Sequence, residues 1–352
     1  NSSTFVDFKN LKSEELKSWE FGIESAMLKN RLSFDISLYQ SNATNQIFSV
    51  PQSTSTGFAF SQINAGEMQN KGIEVSLFGS PVKTKDFEWQ VGVNWSKNKN
   101  EVVSLNQGRD NLQLASWQGG VTLNATVGEA YGTMRGTDYV YDANGNKTVD
   151  ADGHYLTASN KVIGNIQADW IGGVSNRITY KDFSLNFLID MKKGGSVFSL
   201  DQSYGQYTGL TRETAGLNDL GNPIRNSLAD GGGIIFDGVY EDGTPNTTRV
   251  DADYVGAGFG VEVQPNKKFV YDASYVKLRE VGLTYNLPTK FLDKTTMKTV
   301  SFSLLGNNLW IINKNLPDAD PEAGTSSGNI QGFQSGVMPT TKVYSFNVKA
   351  TF

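Results

Sequence analysis

The chain has 352 residues, a formal net charge of -5 and no cysteine, which excludes disulfides and thiolate metal sites and disfavours nucleic acid as a partner. Only 38% of the residues are hydrophobic and no apolar run approaches the roughly 18 residues of a membrane-spanning helix. Aromatic residues make up 11%, with 37 Gly and only 9 Pro, a composition typical of an all-β protein with long loops.

Apolar and polar residues alternate with a period of two in about nine segments, which predicts β-strands. The alternation changes phase near Arg279-Glu280 and near Gly306-Asn307, which predicts β-bulges at those positions. The last segment ends on Phe352 and alternates without interruption. In chain order the predicted strands lie near 19–23, 32–38, 73–77, 87–95, 170–180, 183–191, 274–287, 299–313 and 344–352.

Short and long connections alternate between these strands, so antiparallel pairing places every long loop at the same end. Transmembrane β-barrels have this asymmetry, with short periplasmic turns and long extracellular loops, whereas compact soluble domains rarely keep long structureless loops. A soluble β-sandwich also alternates and remains the alternative fold. The long loops are predicted near 99–166, 194–273 and 314–340, with a shorter one after the second strand.

The sequence therefore predicts an antiparallel transmembrane β-barrel. The backbone N–H and C=O groups at an open sheet edge have no hydrogen-bond partners in hydrocarbon. We therefore expect further strands upstream of Asn1 to complete the barrel. Asn1-Ser2-Ser3 carries no signal peptide, so an exported chain would be a fragment or a processed form. The terminal strand is similar to the signal read by the barrel-assembly machinery, with Tyr344, Phe346 and Phe352 as its aromatic residues. An edge strand that happens to end on Phe is the alternative.

Several blocks in the same order resemble the SusC/RagA outer-membrane transporters of Bacteroidetes, over essentially the whole chain. These blocks are LKSWEFG (16–22), NAGEMQNKGIE (64–74), DGVYEDGTPN (237–246), YVKLREVGLTYNLP (275–288), and NNLW (307–310) followed by DADPE (318–322).

The resemblance implies a barrel of about twenty-two strands closed inside by an N-terminal plug. Residues 1–352 are then the C-terminal part of a single TonB-dependent receptor barrel domain, with the plug absent from this chain. It also implies uptake of an oligosaccharide or oligopeptide. The implied partners are a SusD-like surface lipoprotein, the TonB complex through the missing plug, the barrel-assembly machinery and outer-membrane lipids. A passive porin and a soluble extracellular glycan-binding protein are the alternative functions.

Aromatic residues of the long loops are candidates for contact with ligand or partner, because Tyr and Trp are enriched at binding interfaces. Packing of one loop on another is the alternative for each. Five further aromatic residues are predicted to form girdles at the membrane interfaces. The loop candidates are Trp117, Tyr131, Tyr204 and Tyr207, and the girdle candidates are Trp19, Trp89, Trp95, Tyr180 and Tyr285.

The remaining polar motifs do not favour a metal site or catalysis. Residues 142–150 have the oxygen spacing of a calcium loop, but Lys147 and Gly153 occupy its Gly and Glu positions, which favours a polar turn. His154 is the only histidine, and Asp318 and Asp320 are read as turn residues rather than as an acid–base pair. Neither a cofactor nor an enzymatic activity is predicted. Arg279 and Glu280 are expected to face the lumen or the rim, because charge facing lipid costs about 2–4 kcal/mol.

Overall fold

The computed structural model describes residues 4–6, 11–51, 53–64, 66–105, 108–252, 259–260, 264–324, 328 and 330–352. The N-terminal Asn1-Ser2-Ser3 and Ala65 of the block 64–74 lie outside these ranges. No helix in the described ranges is long and apolar enough to cross a bilayer.

The described residues form strands and one short α-helix, α1 (Leu200–Tyr207). Single 3-10 turns lie at Thr54–Thr56, Arg212–Ala215, Leu228–Asp230, Asn266–Phe269 and Thr289–Phe291. The strands are β1 (Thr4–Val6), β2 (Glu15–Met27), β3 (Leu32–Thr44), β4 (Ile47–Pro51), β5 (Phe60–Asn64), β6 (Gly66–Lys83), β7 (Phe87–Leu105), β8 (Asn111–Ser116), β9 (Thr122–Thr126), β10 (Thr133–Tyr139), β11 (Thr157–Asn165), β12 (Trp170–Tyr180), β13 (Phe183–Lys193), β14 (Ser196–Ser199), β15 (Val270–Asp272), β16 (Tyr275–Asn286), β17 (Thr299–Lys314), β18 (Phe333–Gln334) and β19 (Val343–Thr351).

Nine of these strands form one antiparallel sheet, in the order β19-β17-β16-β13-β12-β7-β6-β3-β2, among the residues that the structure describes. They are the nine strands predicted from the alternation, which confirms that prediction. β6 and β7 are much longer than predicted, at 18 and 19 residues, because their outer halves are polar and give no alternation. Such strands are about 60 Å long, so they extend well beyond an apolar band of about 25 Å.

Strand register sorts the side chains of the sheet into an apolar face and a polar face. One row of paired residues crosses seven strands and is apolar throughout: Phe34, Leu77, Val93, Val174, Ile189, Leu278 and Trp310. A nearby row on the opposite face consists of polar residues and one glycine: Glu24, Asp35, Ser76, Asn94, Gly173, Asp190 and Lys277. The sheet therefore separates two environments across its thickness.

The apolar face of the sheet is not covered by a second sheet. Phe346 is 62% exposed, Leu304 59% and Phe183 50%. The residues with no solvent exposure, such as Val102, Leu123 and Phe198, lie at the outer end of β7 and in the long connections. A β-sandwich would bury the apolar face between its sheets, so the structure rules out the sandwich alternative.

The connections alternate between short and long, as predicted, but the long ones are structured. Residues 106–169 contain a four-stranded sheet of β8 to β11, and β14, β15 and β18 form another small sheet. A buried cluster joins them and includes Leu123, Met134 and Phe198. The strands inside these connections were not predicted, because they are short and because those of the second small sheet pair with segments distant in sequence. The sequences of β10 and β14, TMRGTDY and SVFS, do not alternate.

Candidate functional site

Arg279 and Glu280 lie next to each other in β16, and a β-bulge turns both onto the polar face. Pairing with β17 skips a residue between Leu278 and Glu280, as predicted from the change of phase. Two consecutive side chains at a bulge can share one face. The Arg279 guanidinium donates to Asp190 at 2.7 Å, and Glu280 accepts a hydrogen bond of 2.8 Å from Asn186. Both residues thus occupy the polar face, as expected for a lumen-facing position.

Arg279 belongs to an ion-pair network that fixes the connection between β17 and β19 to the polar face. The network comprises Asp190, Lys277, Arg279, Asp320 and Glu322, and Tyr275 donates a further hydrogen bond to Glu322 at 2.9 Å. Charges alternate in sign along it, so each group is neutralised by a neighbour.

The centre of this network is deeply buried. The Lys277 side chain is 4% exposed and lies 2.5 Å from the Asp320 carboxylate, which is 1% exposed. Removal of either partner from such a pair leaves a buried charge without compensation, which makes the network sensitive to substitution.

Asp320 and Glu322 of this network are held in their ionised forms. Burial by itself raises the pKa of Asp320, but hydrogen bonds from Lys277 and Thr340 outweigh it and leave the pKa below its usual value. Burial likewise opposes ionisation of Glu322, and hydrogen bonds from Arg279, Lys277 and Tyr275 lower its pKa. Groups saturated in this way are suited to holding a loop in place rather than to moving protons.

The network unites two blocks that lie apart in the sequence. Lys277 and Arg279 come from the block 275–288, and Asp320 and Glu322 from the block 318–322. Sequence reasoning singled out Arg279 and Asp320 but missed Lys277, Asp190 and Glu322. The sequence did contain a signal for these partners. Lys277 and Arg279 are cations at alternate positions of one strand, and buried cations require anionic partners.

Gly72 in the block 64–74 has a steric role. Tyr39 of β3 is directly opposite Gly72 of β6, and its ring covers the glycine. A Cβ at Gly72 would lie 2.3 Å from Cζ of Tyr39. The Tyr39 hydroxyl donates to Asn98 of β7 at 3.2 Å, so the ring spans three strands across the polar face.

Two of the four loop aromatic residues pack against other loops: Trp117 is half-buried and Tyr131 is buried. The Trp117 ring stacks on Phe333 of β18 at 5.1 Å, and Tyr131 is 6% exposed and stacks on Phe48 at 6.0 Å. Burial raises the pKa of Tyr131 to about 12. Both rings therefore join separate connections to each other.

The other two candidates, Tyr204 and Tyr207, lie on α1, which begins at the N-cap Ser199. Tyr204 is 40% exposed and its hydroxyl accepts a hydrogen bond of 2.8 Å from Gln118, while Tyr207 is half-buried. The structure does not bring the four candidates together into one site.

Aromatic residues also form a row on the apolar face next to the short turns. This row crosses β7, β12, β13, β16 and β17 and consists of Phe87, Tyr180, Phe183, Tyr285 and Phe302. Tyr180 and Tyr285 were predicted for such a girdle, whereas Phe87, Phe183 and Phe302 were not. Trp89 lies one row further inward, and Trp19 and Trp95 lie further toward the long connections. On β19 and after its end, Tyr344, Phe346 and Phe352 are 73%, 62% and 71% exposed.

Residues 142–146 form a polar turn, as the departures from the calcium pattern had indicated. The Asp142 carboxylate accepts hydrogen bonds from the backbone N–H groups of Asn144 and Asn146, each at 2.8 Å. Asp150 repeats this arrangement with the N–H groups of Asp152 and His154. Within the described ranges, no three acidic, His or Cys side chains converge as metal ligands.

Comparison with known proteins gives consistent matches over the chain. The family model described as TonB dependent receptor-like, beta-barrel matches residues 1–309. The TonB-dependent receptor P3 of Formosa agariphila is 29% identical, over 100% of this chain and 36% of that protein. The TonB-dependent receptor SusC of Bacteroides thetaiotaomicron is 23% identical, over 82% of this chain and 27% of that protein.

Among solved structures, the RagAB peptide importer in its open-open state matches with a TM-score of 0.69 and 19% identity. The match covers 97% of this chain and 35% of the solved chain, and at this identity it concerns the fold. The chain thus spans about a third of the length of these curated relatives, 36% of the P3 receptor and 27% of SusC.

Proposed function

Because the chain belongs to the family of TonB dependent receptor-like β-barrels, we propose that it forms part of the wall and outer loops of an outer-membrane transporter. Residues 1–352 are the C-terminal part of one barrel domain in this proposal. Its function is the uptake of a nutrient with energy delivered by the TonB complex to a plug that this chain does not include.

The observation that carries the proposal is the two-faced sheet. A large apolar face remains exposed on strands whose other face is lined with Glu, Asp, Asn and Lys. In water this arrangement would favour aggregation, whereas in a bilayer the apolar face contacts acyl chains and the polar face lines the interior. The aromatic row beside the short turns suits the periplasmic interface.

We further propose that the substrate is an oligosaccharide or an oligopeptide and that a SusD-like surface lipoprotein covers the outer loops. The solved RagAB assembly is described as a peptide importer, which supports the peptide class. The exposed Leu210 and Leu220 offer apolar surface for such a partner, and Tyr204 and Tyr207 are the proposed contacts nearby. For Trp117 and Tyr131, which pack against other loops, we propose an indirect effect through the shape of the loops.

Assembly in the membrane is proposed to depend on the terminal strand. Tyr344 and Phe346 project from the apolar face of β19, and Phe352 follows directly after this strand. These exposed aromatic residues are available to the barrel-assembly machinery before the strand is surrounded by lipid.

This chain contains no cysteine, so a new cysteine is unique once any cysteine elsewhere in the complete gene is replaced by serine, which allows a direct test of the two faces. Phe346→Cys and Asn347→Cys are neighbours on β19 that point to opposite faces. Each variant, expressed from the complete gene and reconstituted in lipid vesicles, is labelled with a nitroxide, and its collisions with oxygen and with a water-soluble nickel chelate are measured. Oxygen should dominate at position 346 and the nickel chelate at position 347. Equal collision rates at the two positions would contradict the proposal.

Transport itself is tested separately by uptake of labelled oligosaccharides and oligopeptides into cells. Uptake should depend on both this gene and an intact TonB complex. Uptake that continues without TonB would indicate a passive porin instead.

A further inference from the structure

The outer loops line an open cavity of about 840 Å³ that lies away from the ion-pair network. Its walls come from the turn around 139–155, the segment 213–237 and the residues just before β15. Hydrogen bonds connect these segments: the N–H of Val239 donates to the carbonyl of Lys147 at 2.9 Å, and the N–H of Thr137 donates to the side-chain oxygen of Asn266 at 2.9 Å. The cavity is therefore formed before a ligand arrives.

One part of the wall is aliphatic and aromatic. Tyr155 stacks on Phe236 at 4.8 Å between ring centroids and contacts Tyr139 edge to face at 4.8 Å. Phe236 is 7% exposed, whereas Ile235 is 37% exposed and lies at the cavity's edge. Ile234, together with Ile224 and Leu217, extends the apolar surface. Aliphatic side chains give no hydrogen bonds to sugar hydroxyl groups, so this wall suits an apolar side chain.

Lys147 provides a positive charge beside this apolar wall. Its ammonium nitrogen lies 4.2 Å from the ring centroid of Tyr139 and 5.2 Å from that of Tyr155. The described carboxylates include none within ion-pair distance of Lys147. An ammonium group that lies over aromatic faces is held in place and can still form an ion pair with an anion.

The other charged groups of the lining have partners or lie at the rim. Glu213 pairs with Lys268 at 3.1 Å, and Asp219 pairs with Arg249 at 2.7 Å. Asp237 is exposed. Burial lowers the pKa of Lys268; the Glu213 carboxylate opposes this shift, and the nearby positive charge of Lys147 adds to it. Two ammonium groups thus face the same space, and a ligand carboxylate would relieve their repulsion.

We infer that this cavity binds the C-terminal residue of an oligopeptide, with an apolar side chain against Ile234, Ile235 and Phe236 and the terminal carboxylate at Lys147. The inference rests on the proposed uptake function and narrows its substrate to peptides that end in an apolar residue. The site is an outer capture site in the loops, separate from the polar face of the sheet.

The test measures binding by isothermal titration calorimetry with the protein from the complete gene, purified in detergent. The probes are a tetrapeptide ending in leucine, the same peptide with a C-terminal amide, and maltotetraose. The Lys147→Met variant should weaken binding of the acid by roughly tenfold, the value of one hydrogen bond to a charged group, and leave the amide unchanged. Lys161→Met is the matched control, because Lys161 lies on β11 in the same loops and outside the cavity lining.

A second variant, Ile235→Asp, tests the apolar wall at a partly exposed position where folding should be preserved. It should weaken binding of both peptide forms. The inference is overturned if acid and amide bind equally to the unmodified protein, if Lys147→Met and Lys161→Met behave alike, or if only maltotetraose binds. Binding with the expected dependence on Lys147 but no TonB-dependent uptake would instead refute the transport proposal and leave the site intact.

Discussion

Replacement of Lys277 by methionine should detach the connection between β17 and β19 from the sheet. Methionine fills a similar volume but removes the charge that faces Asp320 and Glu322. Glu322 keeps Arg279 and Tyr275 as partners. Asp320 keeps only neutral donors, the hydroxyl of Thr340 at 2.6 Å and the backbone N–H of Glu322 at 3.0 Å, so its buried charge becomes uncompensated.

The size of the effect of Lys277→Met on the opening of this segment follows from the partners that Asp320 retains. Removal of one partner from a buried ion pair costs about 3–5 kcal/mol. Since Asp320 retains two neutral hydrogen bonds, we expect the lower end, about 3 kcal/mol, for the free energy of opening this segment. Each 1.4 kcal/mol is about a tenfold change in an equilibrium constant, so the opened state should become about a hundredfold more populated.

Hydrogen exchange of residues 320–323 in the lipid-reconstituted protein measures this opening. The N–H of Glu322 and the N–H of Ala323 are both bonded to Asp320 and should exchange about a hundredfold faster in Lys277→Met. Adding Asp320→Asn should restore at least half of the protection, because no buried charge is left unpaired. Lys349→Met, an exposed lysine of β19, is the control. Unchanged exchange in Lys277→Met, or no recovery in the double variant, would refute the assignment of a structural role to this network.

Two further predictions concern the faces of the sheet and the loop tyrosines. Phe346→Arg places a charge on the apolar face, one row inward from the aromatic row, and should lower the free energy of unfolding in vesicles by about 2 kcal/mol. Asn347→Arg places the charge on the polar face and should lower it by less than about 1 kcal/mol. Similar losses in the two variants would contradict the assignment of faces. Burial raises the pKa of Tyr131, Tyr155 and Tyr271 to about 12. The neutral forms of these tyrosines therefore contribute their full stabilisation below pH 10, and this contribution is lost as the pH rises through 12. Absorbance at alkaline pH should show this late ionisation together with loosening of the loops, and ionisation of all tyrosines near pH 10 would show that these rings are not buried.

The strands of the sheet were predictable because alternation is a local property of the sequence. The last strand, β19, alternates at every position and was placed within one residue of its observed start. The bulge near Arg279 was also visible, since an extra residue reverses the phase of the pattern. The outer halves of β6 and β7 were missed because Asn and Lys occupy both faces there, so no contrast remains to mark a strand.

The loops were not predictable in the same way. The pairing of β14 with β18 joins residues that are 135 positions apart, and the hydrogen bond from Ser199 to Gln334 accompanies it. Neither segment has a periodic pattern, so only their contact reveals them as strands. The packing of the half-buried Trp117 and the burial of Tyr131 have the same origin, because the rings stacked on them, Phe333 and Phe48, come from other connections.

The sequence by itself determined the number of strands in the sheet, their antiparallel order and the end at which the long connections lie. Each of these depends on side chains one or two positions apart and on the lengths between strands. Tertiary structure alone decided which charges pair in the ion-pair network, which aromatic rings are accessible and where the loop cavity lies. These features arise where segments remote in sequence meet, and a local pattern contains no information about the partner that will neutralise a charge or cover a ring.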